Sequence, residues 1–328
     1  IDVWFPRFLS LPGLARWLDG FFMALACLRL ARRLRRERGI NLLDAHFAYP
    51  EGYAATLLGR WLGLPVTITL RGTEVPLARD PPRRRRMLRA IGDASRVFAV
   101  ADSLKRHVVT LGADPDKIRV VGNGIDCDKF FPIDRGAARE QLGLPQDAKI
   151  LVSVGGLVER KGFHRVIELL PDLLERFPDL HYVVVGGACP EGDLTQFLKD
   201  MVARLGLGER VHFLGPMPPE ELYKPLSAAD VFVLATANEG WANVFLEAMA
   251  CGLPVVTTDV GGNSEVVCDE SLGSITPFGD AEALRSAIAA ALARGWDRER
   301  IIGYARDNSW DTRVEILEAE LRALVSPL

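Results

Sequence analysis

Cysteine is sparse in this chain of 328 residues, and its spacing argues against two kinds of structure. The five cysteines, at positions 27, 127, 189, 251 and 268, are odd in number and include no C-x-x-C pair. Disulfide frameworks normally use an even number of cysteines, and structural zinc sites normally use such pairs. The sequence therefore predicts neither, and it is typical of a protein in the reducing cytoplasm.

Long apolar runs are also missing. The longest covers residues 21–28, which is far short of the ~20 residues that a membrane-spanning helix needs. The basic cluster comes after this run, whereas a secretory signal peptide places its basic residues first. We therefore expect this run to be neither a membrane span nor a signal peptide.

The net charge is small, at −3, but it is distributed unevenly. Residues 1–135 hold 23 Lys and Arg against 14 Asp and Glu, so the remainder of the chain is acidic. The arginines concentrate in residues 29–38 and 83–89. Three interpretations stay open: an anionic membrane surface on the inner face of the membrane, a solvated helix face, and a basic patch that meets the acidic second half of the chain. Nucleic acid is not an expected partner, because these clusters lack interleaved stacking aromatics.

The most informative segment of the chain covers residues 235–258. It places Glu239 and Glu247 eight residues apart. Short apolar runs bounded by polar residues predict buried parallel strands, and Gly252 and Pro254 are typical helix-ending signals. The predicted order is a strand, a loop, a helix and a second strand, at 231–234, 235–243, 244–249 and 255–258.

This order predicts a binding site at the carboxyl end of a strand, where open α/β sheets bind ligands. Asn243 is the predicted N-cap of the helix, which leaves first-turn amides free to face an anion. Glu247 lies about one turn later on the same helix face. Ionised carboxylates can accept hydrogen bonds from neighbouring sugar hydroxyls. The segment therefore predicts a diphosphate site flanked by Glu239 and Glu247, which suits a nucleotide sugar.

The segment resembles the E-x7-E signature of the family 4 retaining glycosyltransferases, which have the GT-B fold. Further motifs occur in that family's order: DAHFAYPEG at 44–52, LRGTE at 70–74, NGID at 123–126, VGGLVERKG at 154–162, VHFLG at 211–215 and VGGNSEVV at 260–267. The resemblance implies an α/β protein with two Rossmann-like, doubly wound domains facing a cleft. It also implies a retaining transferase that moves a sugar from a UDP-, GDP- or other NDP-sugar to a glycan or lipid-linked acceptor, in polysaccharide or glycolipid synthesis.

The resemblance and the chain breakers together predict the domain limits. We expect an acceptor-side domain over 1–135, a nucleotide-sugar-binding domain over 136–308, and a helix over 309–328 that crosses back to the first domain. In the family, the first domain opens with a strand, a Gly-rich loop and a helix. Nothing before Asn41 matches these elements, so we expect the first domain to be incomplete in this sequence.

The resemblance also assigns roles to residues. Lys161 and an arginine five positions earlier would neutralise the leaving diphosphate, but Gly156 occupies that earlier position, and Arg160 is the candidate replacement. His46 would contact the transferred sugar or the acceptor hydroxyl. The predicted catalytic residues are Glu239, Lys161 and His46, and the predicted acceptor-side residues are Arg71 and Asn123. The predicted donor-binding residues are Arg160, Gly156, Leu214, Gly215, Gly240, Trp241, Asn243, Val244 and Glu247.

We expect no metal and no cofactor. The Asp126-Cys127-Asp128 triplet has the spelling of a D-x-D metal motif but lies in the predicted linker, and no motif places an obvious nucleophile. The expected route is therefore a front-face transfer in which the leaving phosphate helps deprotonate the acceptor. Two alternatives stay open: a GT-B sugar-nucleotide epimerase, and a catalytically silent GT-B partner or nucleotide-binding subunit.

Overall fold

The computed structural model describes residues 2–11 and 15–325, and the chain divides into two compact units. Unit 1 comprises Ile1–Gly122 and Arg313–Leu328, and unit 2 comprises Asn123–Thr312. Each unit contains its own parallel β-sheet with helices packed against it. The predicted α/β class with parallel sheets is confirmed.

Unit 1 contains a four-stranded parallel sheet in which each strand pairs with the next along the chain. Its strands are β1 (Leu43–His46), β2 (Val66–Leu70), β3 (Arg96–Ala99) and β4 (Ile118–Val120). Its helices are α1 (Asp19–Arg38), α2 (Tyr53–Leu62), α3 (Glu74–Leu77), α4 (Pro81–Asp93) and α5 (Asp102–Thr110). His46 ends β1, and Arg71 follows β2 directly.

Helix α2 packs unusually close to strand β2 because of Gly59. A Cβ atom at this position would lie 2.3 Å from Val66 Cγ2, so any larger residue would push the helix off the sheet. All five residues of β2 are buried, and their β-branched side chains suit a strand that is covered on both faces. This packing fixes the carboxyl ends of β1 and β2 as neighbours, with His46 opposite Thr69.

Unit 2 contains a six-stranded parallel sheet in the order β10-β9-β8-β5-β6-β7. Its strands are β5 (Lys149–Val154), β6 (Leu180–Val185), β7 (Val211–Gly215), β8 (Val231–Leu234), β9 (Val255–Thr258) and β10 (Gly273–Thr276). Its helices are α6 (Arg135–Leu142), α7 (Phe163–Arg176), α8 (Thr195–Arg204), α9 (Tyr223–Ala228), α10 (Asn243–Ala250), α11 (Asn263–Val266), α12 (Ala281–Ala293) and α13 (Arg298–Asp307). Helix α14 (Trp310–Val325) begins in unit 2 and continues in unit 1.

Apolar layers cover both faces of the unit 2 sheet. Along β5, Ile150 and Val152 join one buried cluster, whereas Leu151 joins the other. Aromatic side chains complete both layers, with Phe245 of α10 in the first and Phe163 of α7 in the second. Strands buried on both faces are continuous apolar runs in the sequence, which is why these strands were predictable.

The order of the strands in unit 2 creates a switch point beside β5. The chain runs from β5 outward to β6 and β7, and then returns to β8 on the other side of β5. Loops that leave two neighbouring strands toward opposite faces of a sheet open a crevice at the strands' carboxyl ends. The loops at 155–162 and 235–242 meet there, where Ala237 N donates to Arg160 O at 2.8 Å.

The limits of the compact units differ from the predicted domain limits. Residues 123–135 belong to unit 2, where Ile125 N donates to Asn308 O and Ile125 O accepts from Trp310 N, both at 3.0 Å. Phe130 also joins the core of that unit. Residues 313–328 belong to unit 1, where Glu320 pairs with Arg96 at 3.1 Å.

Candidate functional site

A buried carboxylate lies between two cations at the switch point of unit 2. Glu239 Oε1 is 2.6 Å from Lys161 Nζ and 3.2 Å from Arg160 Nη1. The Thr236 hydroxyl donates to the same oxygen at 3.1 Å. The Glu239 side chain is 9% exposed, and burying a charged pair is favourable only when further hydrogen bonds satisfy its atoms. Three residues that the sequence predicted for the site therefore meet at one point.

The position of Lys161 depends on the glycine that follows it. Gly162 has φ +76° and links the 3₁₀ turn Glu159–Lys161 to α7. A Cβ atom at Gly162 would lie 2.0 Å from the backbone oxygen of Ala235. Glycine is thus required for both the backbone conformation and the close approach to the end of β8. This approach brings the Lys161 side chain to Glu239.

Glu247 is the second carboxylate of the site and is half-buried on α10. Burial raises the pKa of Glu247 to about 7, and the nearby charge of Lys161 lowers it by a smaller amount. Within the described residues, no group donates a hydrogen bond to its carboxylate. Desolvation favours the neutral form of a carboxyl, whereas hydrogen bonds from hydroxyl donors favour its ionised form.

Helix α10 begins without a side-chain cap. Asn243 is its first residue, and Ala242 is the N-cap, so the prediction that Asn243 caps the helix is wrong by one position. Instead, Asn243 Oδ1 accepts from Asn123 Nδ2 at 2.8 Å. This contact places Asn123, predicted on the acceptor side, beside a donor-side residue of unit 2. The first-turn amides of an uncapped helix are available to an anion.

The neighbours of this helix start are packed on the core side. Trp241 and Val244 are half-buried against the apolar layer of unit 2, and Gly240 is also half-buried. The Trp241 Nε1 atom is buried and has no hydrogen-bond partner among the described residues. Packing against the core of unit 2 therefore fixes Trp241 and Val244 on either side of the helix start.

Gly156 accommodates the loop that follows β6. A Cβ atom at Gly156 would lie 2.9 Å from Cys189 Sγ, so this position leaves no room for the arginine that the family resemblance expects. Beyond Gly156, Arg160 forms a two-pronged contact with Glu191 of the same loop, at 2.8 and 2.6 Å. Leu214 and Gly215 end β7 beside this loop, where Gly186 N donates to Gly215 O at 2.9 Å.

His46 and Arg71 lie together in unit 1. His46 ends β1, and its Nδ1 accepts from Arg71 Nε at 2.8 Å. His46 Nε2 is 3.5 Å from Asp44 Oδ2. Because Nδ1 accepts, the proton of the neutral ring is assigned to Nε2. Arg71, which was predicted on the acceptor side, donates to His46 and orients its ring.

Glu74 is a structural residue of the same region, and its motif predicted no role for it. It is fully buried, and its carboxylate accepts from Ala48 N at 3.1 Å and from Gly72 N at 2.9 Å. These two bonds join the loop after β1 to the loop after β2. Its place at the end of the LRGTE motif could have indicated that it matters. Its partner Ala48 lies 26 residues away, and the sequence does not predict this contact.

A cavity of about 450 Å³ lies in unit 1 beside these loops. Phe47, which adopts the strained value φ +71° for a non-glycine residue, forms one wall. Burial raises the pKa of Glu51, and the charge of Glu74 adds to this shift. The Glu51 Oε2 atom is buried without a partner among the described residues. The other lining residues are Tyr49, Pro50, Thr73, Pro76, Leu77 and Arg83.

Groups of metal ligands and membrane-spanning helices are absent from the described residues. No three His, Cys, Asp or Glu side chains in the described part of the chain are grouped so as to hold a metal ion. The triplet at 126–128 forms a turn, in which Asp126 Oδ1 accepts from Asp128 N at 3.1 Å. No helix within residues 2–11 and 15–325 combines the length and apolarity needed to cross a bilayer.

Comparison with family models matches both parts of the chain. The model for "Glycosyl transferases group 1" matches residues 134–308, and the model for "Glycosyltransferase Family 4" matches residues 3–129. Among curated proteins, the chain is 32% identical to the D-inositol 3-phosphate glycosyltransferase of Corynebacterium urealyticum, over 88% of this chain and 73% of that protein. It is also 32% identical to the enzyme of that name from Mycobacteroides abscessus, over 84% of this chain and 64% of that protein.

Solved structures of the same architecture cover nearly the whole chain. Sucrose-phosphate synthase from Thermosynechococcus elongatus is 25% identical, with a TM-score of 0.76 over 96% of this chain and 80% of that one. HepE of Anabaena, solved in complex with UDP, is 22% identical, with a TM-score of 0.82 over 94% of this chain and 84% of that one. The fold expected from the sequence is thereby confirmed.

Proposed function

This chain belongs to the group 1 and family 4 glycosyltransferases of the GT-B fold, and we propose that it transfers a sugar with retention from a nucleoside-diphosphate donor bound in unit 2. The observation that carries this proposal is the cluster of Lys161, Glu239 and Glu247 beside the uncapped start of α10. A diphosphate needs amides and a cation, and a sugar needs hydrogen-bond acceptors. The cluster supplies both kinds of group.

In the proposed complex, the diphosphate lies at the first turn of α10 and attracts the ammonium of Lys161. Glu239 then accepts hydrogen bonds from hydroxyls of the sugar or ribose, as does ionised Glu247. The complex of HepE with UDP supports UDP as one donor nucleotide. The base would contact the backbone at Leu214 and Gly215, where no side chain would distinguish one base from another.

The proposed reaction breaks the bond between the anomeric carbon and the phosphate oxygen. The acceptor oxygen bonds to that carbon on the face that the phosphate leaves, and its proton passes to the departing phosphate. Lys161 and the amides of α10 stabilise the charge that develops on the diphosphate, which is the main catalytic contribution that this site offers. We propose no metal or other cofactor.

On the acceptor side, we propose that the cavity of unit 1 receives a glycan or lipid-linked acceptor. His46 would contact its hydroxyl through Nε2, and Glu51 would accept from another hydroxyl. The relatives are named for D-inositol 3-phosphate, and Arg83 lines the cavity. A phosphorylated polyol is therefore the second candidate acceptor.

Thermal unfolding in the presence of a panel of UDP-, GDP- and ADP-sugars tests the proposal. A donor at one hundred times its Kd should raise the free energy of unfolding by about 2.7 kcal/mol. The donor that stabilises the protein should also be turned over, with the anomeric configuration retained in the product. Failure of every nucleotide sugar to stabilise the protein, together with no turnover, would contradict the proposal.

Donor binding should depend on pH through Glu247. With a folded-state pKa of about 7, the carboxyl must lose its proton before it can accept two hydroxyl bonds. The donor Kd measured by calorimetry should therefore fall about tenfold between pH 6 and pH 8.

The stability of the protein without donor should also depend on pH. The free energy of unfolding should fall as pH rises from 4.5 to about 7, because Glu247 loses its proton at a lower pH in the unfolded chain. Glu247→Gln should flatten both profiles, and an unchanged binding profile in this variant would contradict the assignment.

We also propose that unit 1 contacts an anionic membrane surface from the cytoplasmic side. Apolar side chains are exposed in the same unit, including Phe5, Leu9, Phe21 and Leu25. Arg86 of the second cluster stacks over the ring of Trp17 at 4.3 Å. Exposed apolar side chains beside cations are the combination that binds such surfaces.

Sedimentation with vesicles tests this contact. The protein should bind vesicles that contain phosphatidylglycerol and not vesicles of phosphatidylcholine alone. Replacing the exposed Arg84 and Arg85 with glutamine should weaken binding by about 2 kcal/mol, or roughly thirtyfold, since each cation contributes about 1 kcal/mol. Arg204→Gln on the surface of unit 2 is the control and should change nothing. Equal binding to both kinds of vesicle would contradict the proposal.

A further inference from the structure

Arg160 holds a carboxylate in the way that an arginine holds a phosphate. Its Nε and Nη2 atoms donate to the two oxygens of Glu191, at 2.8 and 2.6 Å. The parallel fork of a guanidinium binds carboxylate and phosphate with the same geometry. These hydrogen bonds also hold the pKa of Glu191 below its ordinary value.

The other side of the guanidinium is fixed to the loop that carries Glu239. Arg160 Nη1 donates to Asn238 O at 2.9 Å and to Glu239 Oε1 at 3.2 Å. The Glu191 side chain is 52% exposed, whereas that of Arg160 is 30% exposed. Glu191 can therefore leave the pair and be solvated, while Nη1 keeps the guanidinium in place.

Glu191 lies at the tip of a tight turn in the loop after β6. Cys189 N donates to Gly192 O and Gly192 N donates to Cys189 O, both at 2.9 Å, so the turn is closed at its base. Cys189 of this turn fills the space next to Gly156. The same turn therefore depends on the missing side chain at position 156 and places Glu191 against Arg160.

Glu191 adds a negative charge beside the two cations. Its carboxylate pairs with Arg160, whereas Glu239 pairs with both Arg160 and Lys161. Glu191 therefore offsets positive charge that an incoming diphosphate would otherwise meet. When Glu191 leaves, the charge that faces the ligand becomes more positive by one unit, which favours an anionic ligand.

We propose that Glu191 occupies the position of a donor phosphate in the ligand-free protein and is displaced when the diphosphate binds. Arg160 then supplies the second cation that position 156 lacks. This inference rests on the proposed donor site in unit 2. In this role Glu191 competes with the donor for the guanidinium of Arg160. A residue that positioned Arg160 for the donor would have the opposite effect on donor binding.

Calorimetric titration with UDP and GDP separates these two roles. Glu191→Gln removes the competing charge, so it should bind the nucleotide that the parent prefers about threefold to tenfold more tightly. Arg160→Gln should bind it at least tenfold more weakly. In the variant that carries both substitutions, Glu191→Gln should not change the Kd further, because the Arg160 guanidinium for which Glu191 competes is absent.

Glu209→Gln is the matched control. This exposed residue precedes β7, at the opposite end of the sheet from the site, and its substitution makes the same change of charge. It should leave the Kd within about twofold. Unchanged or weaker binding by Glu191→Gln would overturn this inference while leaving the donor site intact. Absence of nucleotide binding by the parent protein would overturn both the donor site and the inference.

Discussion

Lys161→Ala is expected to lower the rate of sugar transfer by about 10²–10³-fold, because removing one group that stabilises developing negative charge typically costs about 2.7–4 kcal/mol. The ammonium lies 2.6 Å from Glu239 Oε1 and acts on the charge of Glu247. Its loss removes the cation closest to both carboxylates. Single-turnover measurements with saturating donor report this loss directly.

The fold should survive this substitution. Glu239 Oε1 keeps the hydrogen bonds from Arg160 and Thr236, so the carboxylate is not left without partners. The Tm should therefore change far less than the rate. Lys199→Ala, on the exposed surface of α8, is the control and should retain full activity. A rate within about threefold of the parent in Lys161→Ala would refute the assigned role.

Glu239→Gln should lower kcat/KM for the donor by about 10²–10³-fold, because discrimination by hydrogen bonds to substrate hydroxyls is large when the site's polar groups are buried. The neutral amide accepts more weakly, and its NH₂ group would face Lys161 or Arg160. Donors that lack single hydroxyls identify which group Glu239 recognises. Removal of that hydroxyl should cost the parent enzyme as much as the substitution does.

The combination of substitution and altered donor is the decisive comparison. If Glu239 accepts from the deleted hydroxyl, the deoxy donor should be used equally well by the parent and by Glu239→Gln. Additive losses for every deoxy donor would show that Glu239 acts without contacting the sugar. Glu168→Gln, in the same unit but on α7, controls for the change in charge.

The central strands of unit 2 could be predicted residue by residue. Strands β8 and β9 have the predicted limits, because strands buried on both faces are apolar runs that end at glycine, proline or polar residues. In each case the signal lies within the segment itself.

Elements held by distant partners were not predictable in this way. Helix α6 begins at the predicted boundary between the domains, and its buried Arg139 donates to Asp230 at 3.1 Å. Strand β10 is short and partly polar, and it pairs with β9. Without its partner, neither segment has a periodicity that distinguishes it from a loop.

The same distinction holds for the site. Local order in the signature segment predicted that Glu239 and Glu247 would share a site, and the placement of Asn243 was wrong by one residue because helix limits depend on backbone geometry. Glu74 and Glu191 could not be assigned, since their partners are 26 and 31 residues away. The cavity lined by Glu51 could not be predicted either, because it is formed by two separate loops, after β1 and after β2.

A structure of the protein with its preferred nucleoside diphosphate measures the central claim most directly. The β-phosphate is predicted to lie within hydrogen-bond distance of Lys161 Nζ and of the backbone amides that open α10. Glu247 should accept from a hydroxyl of the bound nucleotide or sugar. A diphosphate bound elsewhere, with Lys161 still paired to Glu239 and the start of α10 unoccupied, would contradict the account.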